Sequence, residues 1–93
     1  MDIGKAYFRP KSTEVVAYTG TAGNGTAIGV GVKAVLVVCT TAAYINIGKT
    51  AVATSSDIPV EAAKHYIFRV AEGDRVSAIQ QAAGGNAHIV SLV

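Results

Sequence analysis

The last third of the chain alternates apolar and polar residues in short runs. From Ile58 it reads Ile-Pro-Val, then HYIFRV, AEGD, RVSAIQQ, AAGGN and finally AHIVSLV to Val93. Successive side chains of a strand point to opposite faces. Tyr66, Phe68 and Val70 therefore share one face, expected to be core, and His65, Ile67 and Arg69 share the other. Val76 and Ala78 continue an inward face after the turn Glu72-Gly73-Asp74, and His88, Val90 and Leu92 alternate with Ile89, Ser91 and Val93. Three β-type runs separated by two turn clusters read as consecutive hairpins, the last turning at Gly84-Gly85-Asn86.

Upstream, Thr13 to Tyr18 (TEVVAY) is a plausible first strand. Lys33 to Thr41 (KAVLVVCTT) is the most apolar run, which predicts a central strand buried on both faces. In Ala43 to Ile47 (AYINI), Ile45 and Ile47 point one way, Tyr44 and Asn46 the other. Gly48-Lys49 turns the chain, Thr50 to Ala53 suggests another short strand, and Thr54 to Asp57 (TSSD) a loop. Pro59 lacks an N–H, so it belongs on an edge or at the start of a strand. Glu61 to Lys64 (EAAK) is the only helix-favouring tetrapeptide. It is too short to nucleate a helix, and a turn is expected.

Between Gly20 and Gly31 lie five of the ten glycines, residues that suit turns, bulges or mobile loops because they reach φ > 0 cheaply. Asn24-Gly25 is a two-residue hairpin signal, so this segment reads either as a hairpin with its tip there or as a flexible surface loop. About seven to eight short strands at this spacing predict an all-β fold, a small β-sandwich or jelly-roll-like domain with no substantial helix. The expected organisation is an N-terminal arm over residues 1–12 and a single β-sandwich domain over 13–93.

Composition adds a constraint on assembly. The chain is 93 residues long, 51% hydrophobic and only 15% charged, against about 25% charged in an average soluble domain. A chain of this size hides apolar surface poorly, because its surface is large relative to its volume. The surplus is expected to face a partner, which makes a homo-oligomer the first expectation. The eight basic and six acidic residues are scattered, with no Lys or Arg cluster to follow a phosphate backbone, so nucleic acid is not an expected partner. The stretch from Ala34 to Gly48 lacks charges but is too short and too β-branched for a membrane helix, and no membrane partner is expected. Met1 to Lys11 has no apolar core or small-residue cleavage site of a secretory signal. A protein made and kept in a cytoplasm, or packaged from one, is expected.

Candidate chemistry is sparse. Gly48-Lys49-Thr50 looks like the end of a phosphate-binding loop, but Ala43 stands where that motif needs its first glycine, and AVATSSDIP follows where it needs a helix. Gly29-Val30-Gly31-Val32-Lys33-Ala34 fits the loose dinucleotide fingerprint, yet a strand-like run follows it. Asn24-Gly25-Thr26 is a glycosylation sequon that the turn role explains. His65 and His88, the only imidazoles, suggest a metal or acid–base pair on neighbouring strands, but no further ligand sits at suitable spacing. Ser91 and His88 lack a third group and an oxyanion loop. Asp74 and Glu72 are expected to organise their turn. Cys39 inside VLVVC reads as a buried small hydrophobe. No catalytic, cofactor-binding or metal residue is assigned, and no enzyme is expected. Tyr7, Phe8 and Arg9 in the arm, with Asn24, Gly25 and Ile28 in the glycine-rich segment, are the expected inter-subunit contacts.

From Ala34 onward the residues VLVVCTTAAYINIGKTAVAT and DIPVEAAKHYIFRVAEGDRVSAIQQAAGGNAHIVSLV resemble small virion structural proteins of tailed bacteriophages. In these an apolar strand leads to an "aYinIG" strand, a proline-bearing loop, a "yFrV" strand, a Gly-Asp turn and a hydrophobic terminal strand. The resemblance implies a β-sandwich or jelly-roll-like subunit that decorates the capsid or completes the head. It carries no functional residues across, and the N-terminal third departs from the pattern. The expectation is a capsid decoration (cement) protein, bound to a major capsid protein or other virion proteins in a virion assembled in a bacterial host cytoplasm. A head–tail connector, neck or tail component is the alternative. A carbohydrate-binding module is less expected, because the chain has no Trp and Tyr44 and Tyr66 are expected to face differently.

Overall fold

The computed structural model describes residues 10–93. Eight strands follow one another: β1 (Pro10–Tyr18), β2 (Gly23–Asn24), β3 (Ala34–Cys39), β4 (Ala43–Gly48), β5 (Ile58–Val60), β6 (His65–Arg69), β7 (Arg75–Gln80) and β8 (Gly85–Leu92). No helix occurs among the described residues. Strand β1 begins at Pro10, so residues 10–12 of the segment expected as an arm are strand, and the rest of that segment lies outside the described residues.

Two antiparallel four-stranded sheets form, in the orders β1-β8-β3-β6 and β2-β7-β4-β5. The first strand pairs with the last, the second with the seventh, the third with the sixth and the fourth with the fifth. The chain thus behaves as one long antiparallel ribbon folded over on itself, whose wrapping adds the pairs β3·β8 and β4·β7. This is the strand order of an eight-stranded jelly roll. The all-β sandwich expected from the sequence is what forms.

The expected run of hairpins is not. Strands β5, β6, β7 and β8 alternate between the two sheets, and none pairs with another of the four. Of consecutive strands only β4 and β5 pair. The turn signals fall in the right places, but each turn carries the chain across the core. Alternation of side chains fixes which residues face inward and leaves open which strand lies alongside. Gly85 and Asn86, expected in the last turn, are already part of β8.

The core lies between the sheets. Val35, Val37 and Ile45 are wholly buried, and Cys39, Val60, Val76, Ile89 and Tyr18 nearly so. Tyr66 and Phe68 pack against this core as expected. Strand β3 is central in its sheet; its inward residues Val35, Val37 and Cys39 are fully buried, and on the outer face Ala34 and its partner Leu92 are buried while Leu36 and Val38 are half-buried. Thr50 to Ala53 forms a loop instead of the expected strand. Pro59 sits in edge strand β5 as expected. Glu61 to Lys64 is irregular, with Ala63 at φ 60° and its N–H donating to Cys39 O at 2.8 Å. In the Glu72–Asp74 turn Gly73 takes φ 89°, and Asp74 accepts the Ala71 N–H at 2.9 Å.

Asn24-Gly25 is neither a hairpin tip nor a loose loop. Gly23 and Asn24 pair with Ala78 and Ser77, the Gly25 N–H donates to Val76 O at 2.8 Å, and the Ile28 N–H donates to Asp74 O at 2.7 Å. Glycine is needed here for close approach. A Cβ at Gly23 would land on the Ala17 carbonyl oxygen, and one at Gly25 would lie 2.8 Å from Glu14 Oε1. Gly23→Ala should therefore cost about 2–3 kcal/mol and lower Tm by roughly 10 °C or more. Gly29→Ala, whose added Cβ meets nothing within 4 Å, should stay within about 0.5 kcal/mol. Thermal unfolding followed by circular dichroism checks both, and equal Tm values would contradict the close-approach account.

Candidate interaction surface

The two sheets treat their outer faces differently. On the β2-β7-β4-β5 sheet, Val76 and Ala78 point into the core, so Ser77 points outward. Ser77 is nevertheless wholly buried, because the loop from Lys49 to Asp57 folds over it. The Ala53 N–H donates to Ser77 Oγ at 2.8 Å, and the hydroxyl donates to Asn24 Oδ1 at 2.6 Å, with Gly23 O at 3.2 Å. The loop is itself clasped, since Asp57 Oδ2 accepts the Thr54 N–H at 2.7 Å. Its own Ala51 and Ala53 are buried.

No described loop is bonded across the outer face of the β1-β8-β3-β6 sheet in this way. Cross-strand register places Thr13, Val90, Leu36 and Ile67 side by side in one row, and Val15, His88, Val38 and His65 in the next. Val15 is 55% exposed, and Val90, Leu36, Val38 and Ile67 are half-buried. Arg69, at one end of β6, is exposed. Among the described residues no carboxylate shares this face. Glu14, the acid nearest to it in β1, pairs with inward Ile89 and accepts the Thr26 N–H at 3.0 Å. The surface is thus a shallow apolar band bordered by one guanidinium and two imidazoles.

Of the residues expected to make contacts, Asn24, Gly25 and Ile28 are not in the strands of this sheet. Tyr7, Phe8 and Arg9 lie outside the described residues. Asn24 is exposed, but its side-chain oxygen is engaged by Ser77. Gly25 and Ile28 are buried within the fold and offer no outer surface. The outer row was hidden in the sequence because VLVVC is apolar at both parities, which reads as burial on both sides.

His65 and His88 both stand opposite Val38, so they flank strand β3 on one face and are not on neighbouring strands. Both are exposed, and no group of three or more His, Cys, Asp or Glu assembles among the described residues. Ser91 and His88 lie on opposite faces of β8, which separates the imagined nucleophile from its base. Burial pushes the Cys39 thiol up from its ordinary value, against a smaller lowering from the Tyr18 hydroxyl. That environment suits an inert thiol. Tyr44 and Tyr66 belong to different sheets and make no shared aromatic platform. A cleft of ≈ 240 Å³ bordered by Glu14, Ile28, Val32 and Ile89 falls below the usual range of ligand pockets, about 300–1,000 Å³. Lys49 and Thr50 of the phosphate-loop-like triplet border a shallow surface depression with Arg75, and no helix follows them.

The chain matches no family model, and no curated protein or solved structure shows significant similarity to it. The geometry alone therefore defines the class: a small jelly roll with one sheet covered by its own loop and the other carrying an apolar face that no described loop is bonded across.

The covering loop depends on Ser77. Ser77→Ala leaves the Ala53 N–H without its acceptor and should destabilise by about 1–3 kcal/mol. Amide exchange should rise at residues 51–57 before the rest of the fold opens. Unchanged protection of Ala53 in the variant would show that the loop is held by other means.

Proposed function

We propose that this chain is a structural subunit of a tailed-phage virion that cements the capsid by laying its β1-β8-β3-β6 sheet flat against neighbouring capsid proteins. The observation that carries the reading is the contrast between the two outer faces. One is closed by its own loop through Ser77, and the other presents Val15, Val90, Leu36, Val38 and Ile67 with no carboxylate among them. Jelly rolls recur in viral capsid proteins and also in lectins and cupins, so the fold alone does not choose among them. The interior argues for a scaffold over a small-molecule binder, since it is filled by Val35, Val37, Ile45, Val76 and Ile89. The resemblance of Ala34 to Val93 to small virion proteins points the same way.

Size sets the expected strength. Four strands spaced about 4.8 Å apart, each roughly 20 Å long at about 3.3 Å per residue, make a face of roughly 400 Å², short of the about 800 Å² per partner that a stable pair buries. One subunit on one site is then a weak ligand, and retention on a particle comes from several simultaneous contacts. A cement protein, present in many copies on a repeating lattice, meets that requirement.

Antibody raised against the chain should label the heads of virions from its source at many sites. Leu36→Glu with Val38→Glu should abolish addition of the purified protein to particles while its circular dichroism spectrum stays native. Labelling confined to the neck would favour the connector alternative. A chain missing from purified particles overturns the reading.

A further inference from the structure

A sheet edge is a row of unpaired backbone donors and acceptors, and proteins blunt such edges by shortness, proline, bulges or cover. Three of the four edges here are blunted. Strand β2 has two residues, and β5 has three with Pro59 in the middle. Strand β1 has an irregular register between Pro10 and Ser12, and the Gly23 backbone comes up against its Ala17 carbonyl. Strand β6, His65–Arg69, has five residues, a regular register, no proline, and no described segment hydrogen-bonded along its outer side.

Which groups face outward follows from one bond. The Val70 N–H donates to Lys33 O across the β3 side at 3.1 Å. Along an antiparallel strand the N–H and C=O of one residue point to the same side, and successive residues alternate. Phe68 and Tyr66 therefore bond to β3, whereas His65, Ile67 and Arg69 present their N–H and C=O groups to the free side. None of those backbone groups takes a partner elsewhere among the described residues.

We infer that β6 pairs with β6 of a second copy, antiparallel, about a two-fold axis through Ile67. In that register Ile67 faces its own counterpart as a hydrogen-bonded pair, exchanging both N–H···O=C bonds. His65 faces Arg69 of the other copy in the same way, and all the outward groups are satisfied. On the inner side Tyr66 stands opposite Phe68 of the other copy. These rings already stack within one chain, centroids 6.4 Å apart and planes 12° from parallel, and aromatic cross-strand pairs are among the stabilising ones. On the outer side the apolar row Val90-Leu36-Ile67 runs to the edge and continues into its mirror sequence in the second copy. The two sheets become one of eight strands, and the apolar face doubles in width. A five-residue edge is small by the measure of stable interfaces, so the dimer is concentration-dependent. This inference needs no capsid and stands apart from the function proposed above.

Light scattering and sedimentation across a dilution series test it. The wild-type 9.5 kDa chain should move from monomer to dimer as concentration rises to about 1 mM, a weak affinity by the usual arithmetic. Ile67→Pro removes an outward N–H and spares the β3 ladder, and should weaken association at least about tenfold. Ile67→Lys, which keeps every backbone group but brings two ammonium groups together at the axis, should do the same if the proline variant does not fold. His65→Glu places a carboxylate opposite Arg69 at both ends and should tighten the dimer several-fold. A wild type that stays monomeric throughout, or a dimer that the Ile67 and His65 variants leave unchanged, overturns the inference.

Discussion

Strand β3 gives its odd-numbered backbone groups to β6 and its even-numbered ones to β8. Held on both sides, it cannot shift by one residue without exchanging Val35, Val37 and Cys39 for Leu36 and Val38 across the sheet. That register sets the interior, where Val35 and Val37 meet no solvent. It also sets the exterior, where Leu36 lies between Val90 and Ile67. The same two ladders place β6 at the rim of its sheet. Core, apolar face and open edge are three consequences of one pair of hydrogen-bonded ladders.

Wrapping a ribbon around so small a core forces backbones together at its ends. The Tyr18 hydroxyl closes one end. It donates to Thr41 O at 2.7 Å and stands 2.9 Å from Thr41 Oγ1, and Thr41 Oγ1 reaches Ala83 O at 3.1 Å. A buried phenol needs such partners, and these join the end of β1 to the β3–β4 and β7–β8 connections. Gly85 sits inside the same knot, where a Cβ would lie 2.5 Å from Thr41 Oγ1. With net stability of only about 0.05–0.15 kcal/mol per residue, a clash at one such crossing is a large fraction of the total.

The fold class was legible because its signal is local. Alternation in HYIFRV, AYINI and RVSAIQQ names the strands and their inward faces, and Gly73 and Pro59 sit where turn and edge chemistry require. Strand neighbours were not legible, since β1 with β8 and β2 with β7 are joined by register alone and no sequence-adjacent turn announces them. Asn24-Gly25 misled because glycine serves two needs. A left-handed turn and a close backbone crossing write the same letter, and here the crossing applies. The candidate surface was hidden for a related reason: Leu36 and Val38 look as buried as Val35 and Val37 in the sequence, yet they keep partial exposure on the outer face. Gly25 and Ile28, expected at an interface, are buried within the described fold.

Why a described loop covers one outer face and none covers the other has a physical answer in loop lengths. The β4–β5 connection spans Lys49 to Asp57, long enough to lie back over Ser77 and satisfy it. The connections that border the other sheet do other work. The segment from Gly25 to Lys33 is pinned to the Asp74 turn and to Val76, Glu61 to Lys64 folds back to Cys39 O and the Tyr66 hydroxyl, and Gln81 to Gly84 is tied to Thr41. None is free to cross Leu36. An apolar band that none of the described loops covers carries a cost in exposed area, and burial against another protein would remove that cost. Composition and topology therefore converge: a chain with few charges leaves Leu36, Val38 and Ile67 partly exposed on a sheet that no described loop is bonded across, and contact with another protein is what would remove that exposed area.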